Sequence, residues 1–234
     1  MTELISAMPQ TGLTRRRLIG AALASGALSL AGCAGGYGFS LTDAVRRLLY
    51  LSSERAFARL LVEGGYWDEA VASLGLDAFM GNRGDILGTI LTSNLFKDRL
   101  EYAFAGIAVD AAERAAPVVT DAVRMIGIDN AIALVNGGPT AATGFLRGSM
   151  GETLVEAMVP EIGDGLRLSR EPIVGELLAS LTGVDVAGVA STFAGEVDDV
   201  IWREIGVEEA AIRANPRATN DALIIGVFGA ASVL

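Results

Sequence analysis

Among its 234 residues the chain has no histidine and a single cysteine. The first absence removes the usual general base of serine and cysteine hydrolases, the commonest zinc ligand and the axial ligand of most haem proteins. The second removes any disulfide framework and any cysteine metal cluster. A phosphate-binding loop is missing too, because Gly137-Gly138 lacks the lysine and the preceding strand that would give it meaning. Carboxylates are left as catalytic candidates. Asp198-Asp199 and Glu208-Glu209 are adjacent pairs, and neighbours on a helix point about 100 degrees apart rather than at one bond. They read as solvated faces. These exclusions leave no expected metal and no expected cofactor, and they weigh against an enzyme.

What is present begins with the amino-terminal segment. Thr14-Arg15-Arg16-Arg17 precedes an apolar run over residues 18–30, which ends in Leu30-Ala31-Gly32-Cys33. Basic, then apolar, then small residues is the order of an export signal. The run is about 13 residues long, short of the roughly 20 that a membrane-crossing helix needs. Leu30-Ala31-Gly32-Cys33 resembles the lipobox of bacterial lipoproteins, in which the cysteine sulfur is acylated, with palmitate among the usual chains, and the bond before it is cut. Arg15 and Arg16, followed by Arg17-Leu18-Ile19, also resemble a twin-arginine export signal. The general secretory route is the alternative. The expected division is therefore a signal peptide over residues 1–32, a flexible tether over 33–39 rich in glycine, and a folded domain over 40–234.

Removal of 32 residues carrying three arginines and one glutamate takes the formal charge from −10 to about −12 on about 200 residues. Such a surface repels nucleic acid and anionic headgroups, so an acyl group rather than a basic patch has to hold the protein on a membrane. Residue 34 is alanine rather than the aspartate that favours inner-membrane retention in the enteric sorting rule. The expected location is the periplasmic face of the outer membrane.

Within residues 40–234 the apolar positions recur with a period near 3.6 in almost every long window. This predicts an all-α fold, a single compact domain of about eight to ten short and medium helices. Ser40 caps the first helix, which runs to about residue 62, with Arg55 and Arg59 near its apolar side. A short helix over 66–74 closes at Gly75, and Gly81-Asn82-Arg83-Gly84 is a loop. Ser93 opens a long periodic stretch to Pro117; the pattern resumes over 118–125 and stops at Gly127. A helix over 152–167 has to bend or split at Pro160. Ser169, Glu171 and Pro172 start another that ends at Gly183. Asp185 caps a helix to Ile205, with Gly206 as its stop. A brief helix over 208–213 precedes Asn215-Pro216, and Thr219 caps a final apolar helix over 221–231. That tail could also be a strand, but no alternating partner is visible.

The densest punctuation falls in residues 129–147. Asp129 stands where a helix cap belongs, and Asn136-Gly137-Gly138-Pro139 stops that helix and restarts the chain. Thr140, Thr143 and Arg147 then share one face of the next helix beside Ala141 and Ala142. This polar stripe reads either as a buried corner satisfied by the chain's own groups or as the wall of a ligand pocket. Residues Glu113, Asp129, Gly138, Thr140, Thr143, Arg147, Glu209 and Arg213 form the candidate structural or ligand site. If they do form one site, Arg147 or Arg213 lies within ion-pair reach of Asp129, Glu113 or Glu209.

Taken together, the lipobox, Glu113 in Ala-Ala-Glu, Pro117, Asp129-Asn130-Ala131, Gly138, Ala141-Ala142-Thr143 with Phe145 and Arg147, Pro160, Glu208-Glu209, Ile212-Arg213, Asn215-Pro216 and Val227-Phe228-Gly229 resemble the bacterial lipoproteins grouped under domain of unknown function 4197. The resemblance spans most of residues 54–229. Gly144 stands where the family pattern usually has an acidic residue. No activity comes with the family. The resemblance implies a lipid-anchored helical envelope protein, with a structural or adaptor role or, alternatively, a binding cleft for a small anionic or lipid-like ligand. Its expected partners are the membrane through acylated Cys33, no nucleic acid, and an unidentified protein or small ligand.

Overall fold

A computed structural model describes residues 40–76, 78, 94–180 and 186–231. The export signal, the tether with Cys33, the loop Gly81-Asn82-Arg83-Gly84, Ser93, Gly183 and Asp185 lie outside the described residues. Among the described residues there are nine α-helices, one 3-10 turn and no strand. The helices are α1 (Leu41–Leu60), α2 (Tyr66–Leu74), α3 (Asn94–Met125), α4 (Ala131–Val135), α5 (Ala141–Met150), α6 (Thr153–Leu168), α7 (Pro172–Ser180), α8 (Val186–Ala214) and α9 (Ala222–Ala231); the turn is Pro216–Thr219. No helix among them is long and apolar enough to cross a membrane.

The first two helices follow their local signals. The Ser40 hydroxyl accepts from the Asp43 amide at 3.3 Å, while Asp43 in the first turn and Arg59 in the last complement the helix dipole. Gly75, at φ +79°, ends α2 in a conformation that costs glycine little. The Trp67 indole N–H donates to the Leu60 carbonyl at 2.8 Å, so a buried aromatic of α2 satisfies one of the carbonyls left free at the end of α1.

Three expected breaks are absent. Pro117 does not end a helix; α3 runs through it without interruption. An internal proline costs about 3 kcal/mol, but Phe104, Ile107, Ala111 and Ala115 before it and Val119 and Val123 after it belong to one buried stripe. Burying each large side chain of such a stripe contributes about 1.5–3 kcal/mol, so continuity wins. Gly206 does not end a helix either, and the segment 208–213 is no separate helix but the last part of α8. A Cβ at Gly206 would lie 3.2 Å from Thr140 Cγ2. The glycine is there to let α5 approach α8. Pro160 likewise sits inside one helix, α6, which it does not split.

Four long helices make the frame. α1 packs on α3 and α8, and α6 packs on the same two from the other side. Neighbours run antiparallel: Arg47, Arg55 and Arg59 of α1 meet Asp221, Glu208 and Glu204 in descending order, and Arg46 near the start of α1 donates to the Ile126 carbonyl at the end of α3 at 3.2 Å. At the centre Phe104 of α3 stacks on Phe193 of α8, ring centroids 5.0 Å apart. The tail is helical, as its periodicity predicts, and its cap is shared. Asp221 Oδ1 accepts from the amides of Leu223 and Ile224 at 3.0 and 3.1 Å, and Thr219 Oγ1 accepts from the Asp221 amide at 3.1 Å.

Candidate functional site

The corner at residues 129–147 is built from α4, a tight turn and α5, and its local chemistry differs in detail from the sequence expectation. The cap of α4 is Asn130, whose side chain accepts from the Ala133 amide at 3.1 Å; Asp129 is exposed one residue before it. Of the two glycines in the turn, Gly137 is the constrained one. A Cβ there would fall 2.6 Å from Ala141 Cβ and 2.9 Å from the Ala133 carbonyl oxygen, whereas one at Gly138 would meet nothing. Thr140 precedes α5 without a side-chain capping bond.

That missing cap is supplied from α8. Glu209 is 0 % exposed. Its carboxylate accepts from the amides of Ala142 and Thr143 at 3.0 and 2.6 Å and from the Thr143 hydroxyl at 2.6 Å. A buried anion at a helix N-terminus satisfies free N–H groups and meets the positive end of the dipole. One turn further along α8, Arg213 Nε donates to Glu209 at 2.8 Å, while its two terminal nitrogens donate to the carbonyls of Val135 and Leu134 at 2.9 and 2.8 Å. Those carbonyls end α4, where the dipole favours a cation. The guanidinium also lies over the Phe228 ring, 4.9 Å from its centroid. Of the expected partners for Arg213, the carboxylate is therefore Glu209. Arg213 and Glu209 together clamp both helices of the corner.

Arg147 behaves differently. It pairs with Asp198 at 3.0 Å and with Asp199, not with Asp129, Glu113 or Glu209, and its side chain is 44 % exposed. Glu113 is exposed on α3 and, like Asp129, has no ion pair among the described residues. The structure thus brings together Thr143, Glu209 and Arg213. Arg147 lies one to two turns along α5, and Glu113 and Asp129 are left out.

The acidic pairs read as solvated faces are, apart from Asp199, tied into the packing. Asp198 accepts from the Trp202 indole N–H at 2.8 Å as well as from Arg147. Burial pushes its carboxyl above the usual carboxylate range, against the pull of Arg147 and the Trp202 bond. Glu208 meets Arg59 at 3.1 Å. Glu204, which the sequence reading did not single out, accepts from Arg59 at 2.7 Å and from the Tyr66 hydroxyl at 2.9 Å. Burial, then Glu204 against Arg203, holds the Tyr66 hydroxyl above its ordinary value. A signal for this network was available: Arg55 and Arg59 on α1 share the four-residue spacing of Glu204 and Glu208 on α8.

Two open grooves of about 420 Å³ flank the corner, one lined by Thr140, Gly144, Arg147, Trp202 and Val207, the other by Val135, Pro139, Ala210, Arg213 and Phe228. A smaller, more enclosed cleft of about 280 Å³ lies elsewhere, between α2, α3 and the segment just before α7. Glu63, Asp68, Asp110 and Glu171 line it with Trp67 and Tyr102, and among the described residues no basic one does. It is ill-suited to an anion. Among the described residues no group of three or more Asp, Glu or Cys side chains could hold a metal ion.

No curated protein and no solved structure matches the chain. A family model does, over residues 38–229: DUF4197, described as a protein of unknown function. With that span covering most of its length, the chain belongs to the DUF4197 family.

Proposed function

We propose that this is a lipid-anchored envelope protein, held at the periplasmic face of the outer membrane through acylated Cys33, whose helical domain serves a structural or adaptor role rather than a catalytic one. The observation that supports the structural role is the use to which Glu209 and Arg213 are put. Each makes its hydrogen bonds to the chain itself, closing the ends of α4 and α5. A carboxylate and a guanidinium so engaged fix helix geometry and leave no free polar group for a substrate. The lipobox Leu30-Ala31-Gly32-Cys33 supports the anchorage. Cys33→Ser abolishes thioether formation, so radiolabelled fatty acid enters the wild-type protein and not the variant, and the variant leaves the membrane fraction. Equal labelling of both overturns the anchorage.

A second reading, a binder of a small anionic ligand, is favoured by Arg147 alone, whose half-exposed guanidinium faces an open groove. Native mass spectrometry of Cys33→Ser protein separates the two. The structural reading expects the bare chain mass. A co-purifying anion lost on Arg147→Ala establishes the binder.

A further inference from the structure

We propose that the end of the helical frame where α1 begins is a lipid-contacting face, with Met125 and Ile132 inserted at the bilayer surface and the acidic cleft held away from it. The inference rests on the anchorage through Cys33 proposed above and adds an orientation to it. Cys33 precedes Ser40 by seven residues, and a fully extended chain of that length spans at most about 25 Å. An acyl chain on Cys33 therefore keeps the start of α1 close to the membrane. The residues beside that start belong to the junction of α3 and α4. Arg46, in the second turn of α1, holds the Ile126 carbonyl, and α1 packs against α4 directly.

The junction exposes two large apolar side chains on either side of Asp129 and Asn130. Met125 is 78 % exposed and Ile132 62 %, and Ile128 between them is half-buried. Large apolar side chains grouped at one tip have no role in the core that α3 and α4 build. Most charges nearby are paired: Arg124 with Asp121 at 3.2 Å, Arg46 with Asp43 at 3.7 Å and Arg47 with Asp221 at 2.7 Å, while the exposed Asp129 has no ion pair among the described residues. The opposite end is the more acidic. There, past the end of α1, Glu63, Asp68, Asp110 and Glu171 line one cleft, and none has an ion pair among the described residues. A tip with two exposed apolar side chains and one unpaired acid beside the tether, against a cleft with four unpaired acids at the far end, is the distribution that an anionic lipid surface selects, because headgroup repulsion turns the more acidic end outward. The tip does not hold the protein on the membrane, which is the work of the acyl group. It sets which way the domain faces.

The test uses the full-length acylated protein in vesicles of phosphatidylethanolamine and phosphatidylglycerol, part of the phosphatidylethanolamine brominated on its acyl chains. The native Trp67 and Trp202 are buried and report a common background, so Ile132→Trp and Tyr102→Trp place one exposed reporter at each end. In a parallel arm, unacylated protein is coupled through the Cys33 thiol to a maleimide-bearing lipid in the same vesicles. This arm reads the orientation even if the cell does not acylate Cys33. We expect quenching of the Ile132→Trp reporter to exceed that of Tyr102→Trp by at least about twofold, because an interfacial apolar face sits about 5–10 Å deep. Hydrogen exchange on the unsubstituted protein should slow over residues 124–133 when vesicles are present, and Met125→Asp with Ile132→Asp should abolish that slowing. Equal quenching of the two reporters, or protection of 124–133 that depends on protein concentration and not on lipid, overturns the proposal. The second outcome assigns the tip to contact between copies.

Discussion

Glu209 and Arg213, one turn apart on α8 and 2.8 Å from each other, close the two helix ends of a single corner: the carboxylate takes the first amides of α5 and the guanidinium takes the last carbonyls of α4. Each therefore meets the dipole end that its charge suits. With further acids the same helix reaches α5 again and two other elements. Asp198 holds Arg147 of α5, Glu204 holds Arg59 of α1 and Tyr66 of α2, and Glu208 holds Arg59 again. In function, α8 is the spine to which the shorter helices are fastened.

The Glu209 and Arg213 clamp should be expensive to break from either side. Removing one member of a buried pair strands the other and costs about 3–5 kcal/mol. In a domain of this size 1 kcal/mol lowers the melting temperature by about 2–4 °C. Glu209→Ala and Arg213→Ala should thus each melt about 6–20 °C below wild type, and the double variant should lose less than the sum of the two. Thermal denaturation of all four proteins measures this. Single variants within about 1 kcal/mol of wild type would mean that the corner holds itself.

Gly206 offers a test of close approach. Glycine inside a helix is about 1 kcal/mol worse than alanine, so Gly206→Ala should stabilise α8 if nothing else touched the site. Thr140 Cγ2, 3.2 Å from the added Cβ, reverses the sign, since overpacking costs about 1–3 kcal/mol. Net destabilisation is expected. Thr140→Ser, which removes that methyl, should restore the loss in the double variant. Chemical denaturation midpoints that rise for Gly206→Ala alone would refute the account.

Acid titration should move two carboxylates in opposite directions. Burial, then the charges of Glu113, Glu161 and Glu63, raises Asp110 above its ordinary 3.8. Its charged form is therefore a cost at neutral pH, relieved as pH falls through the raised value. Asp110→Asn should stabilise at pH 7 by at most about 0.5 kcal/mol, the group being exposed, with the gain vanishing in acid. At Asp221 burial raises the value, but the Arg47 guanidinium and the amides of Ile224 and Leu223 outweigh it, and the net shift is downward from 3.8. Its contribution is present above 3.8 and is lost as pH falls through the lowered value. Asp221→Asn keeps a capping oxygen but loses the charge facing Arg47, so it should cost at most about 1 kcal/mol at neutral pH and approach wild type in acid. Stability curves for the two variants that share one sign at pH 7 would contradict this assignment.

The sequence by itself determined the helical class, the cap at Ser40, the stop at Gly75, the helical tail and the family. Each of those rests on interactions within four residues or on a short pattern, and such signals are complete in one dimension. Tertiary packing decided where two signals conflicted. Pro117 and Gly206 are helix breakers by local preference, yet α3 and α8 continue through them because a buried stripe lies on both sides of each. Packing also decided what the charges do. Thr143 meets Glu209 from 66 residues away and Leu134 meets Arg213 from 79, distances over which a sequence pattern carries no register. Two acids side by side on a helix look alike in sequence. Glu209 differs from a solvated glutamate only because Gly206, one turn earlier, lets the start of α5 come close enough to be capped.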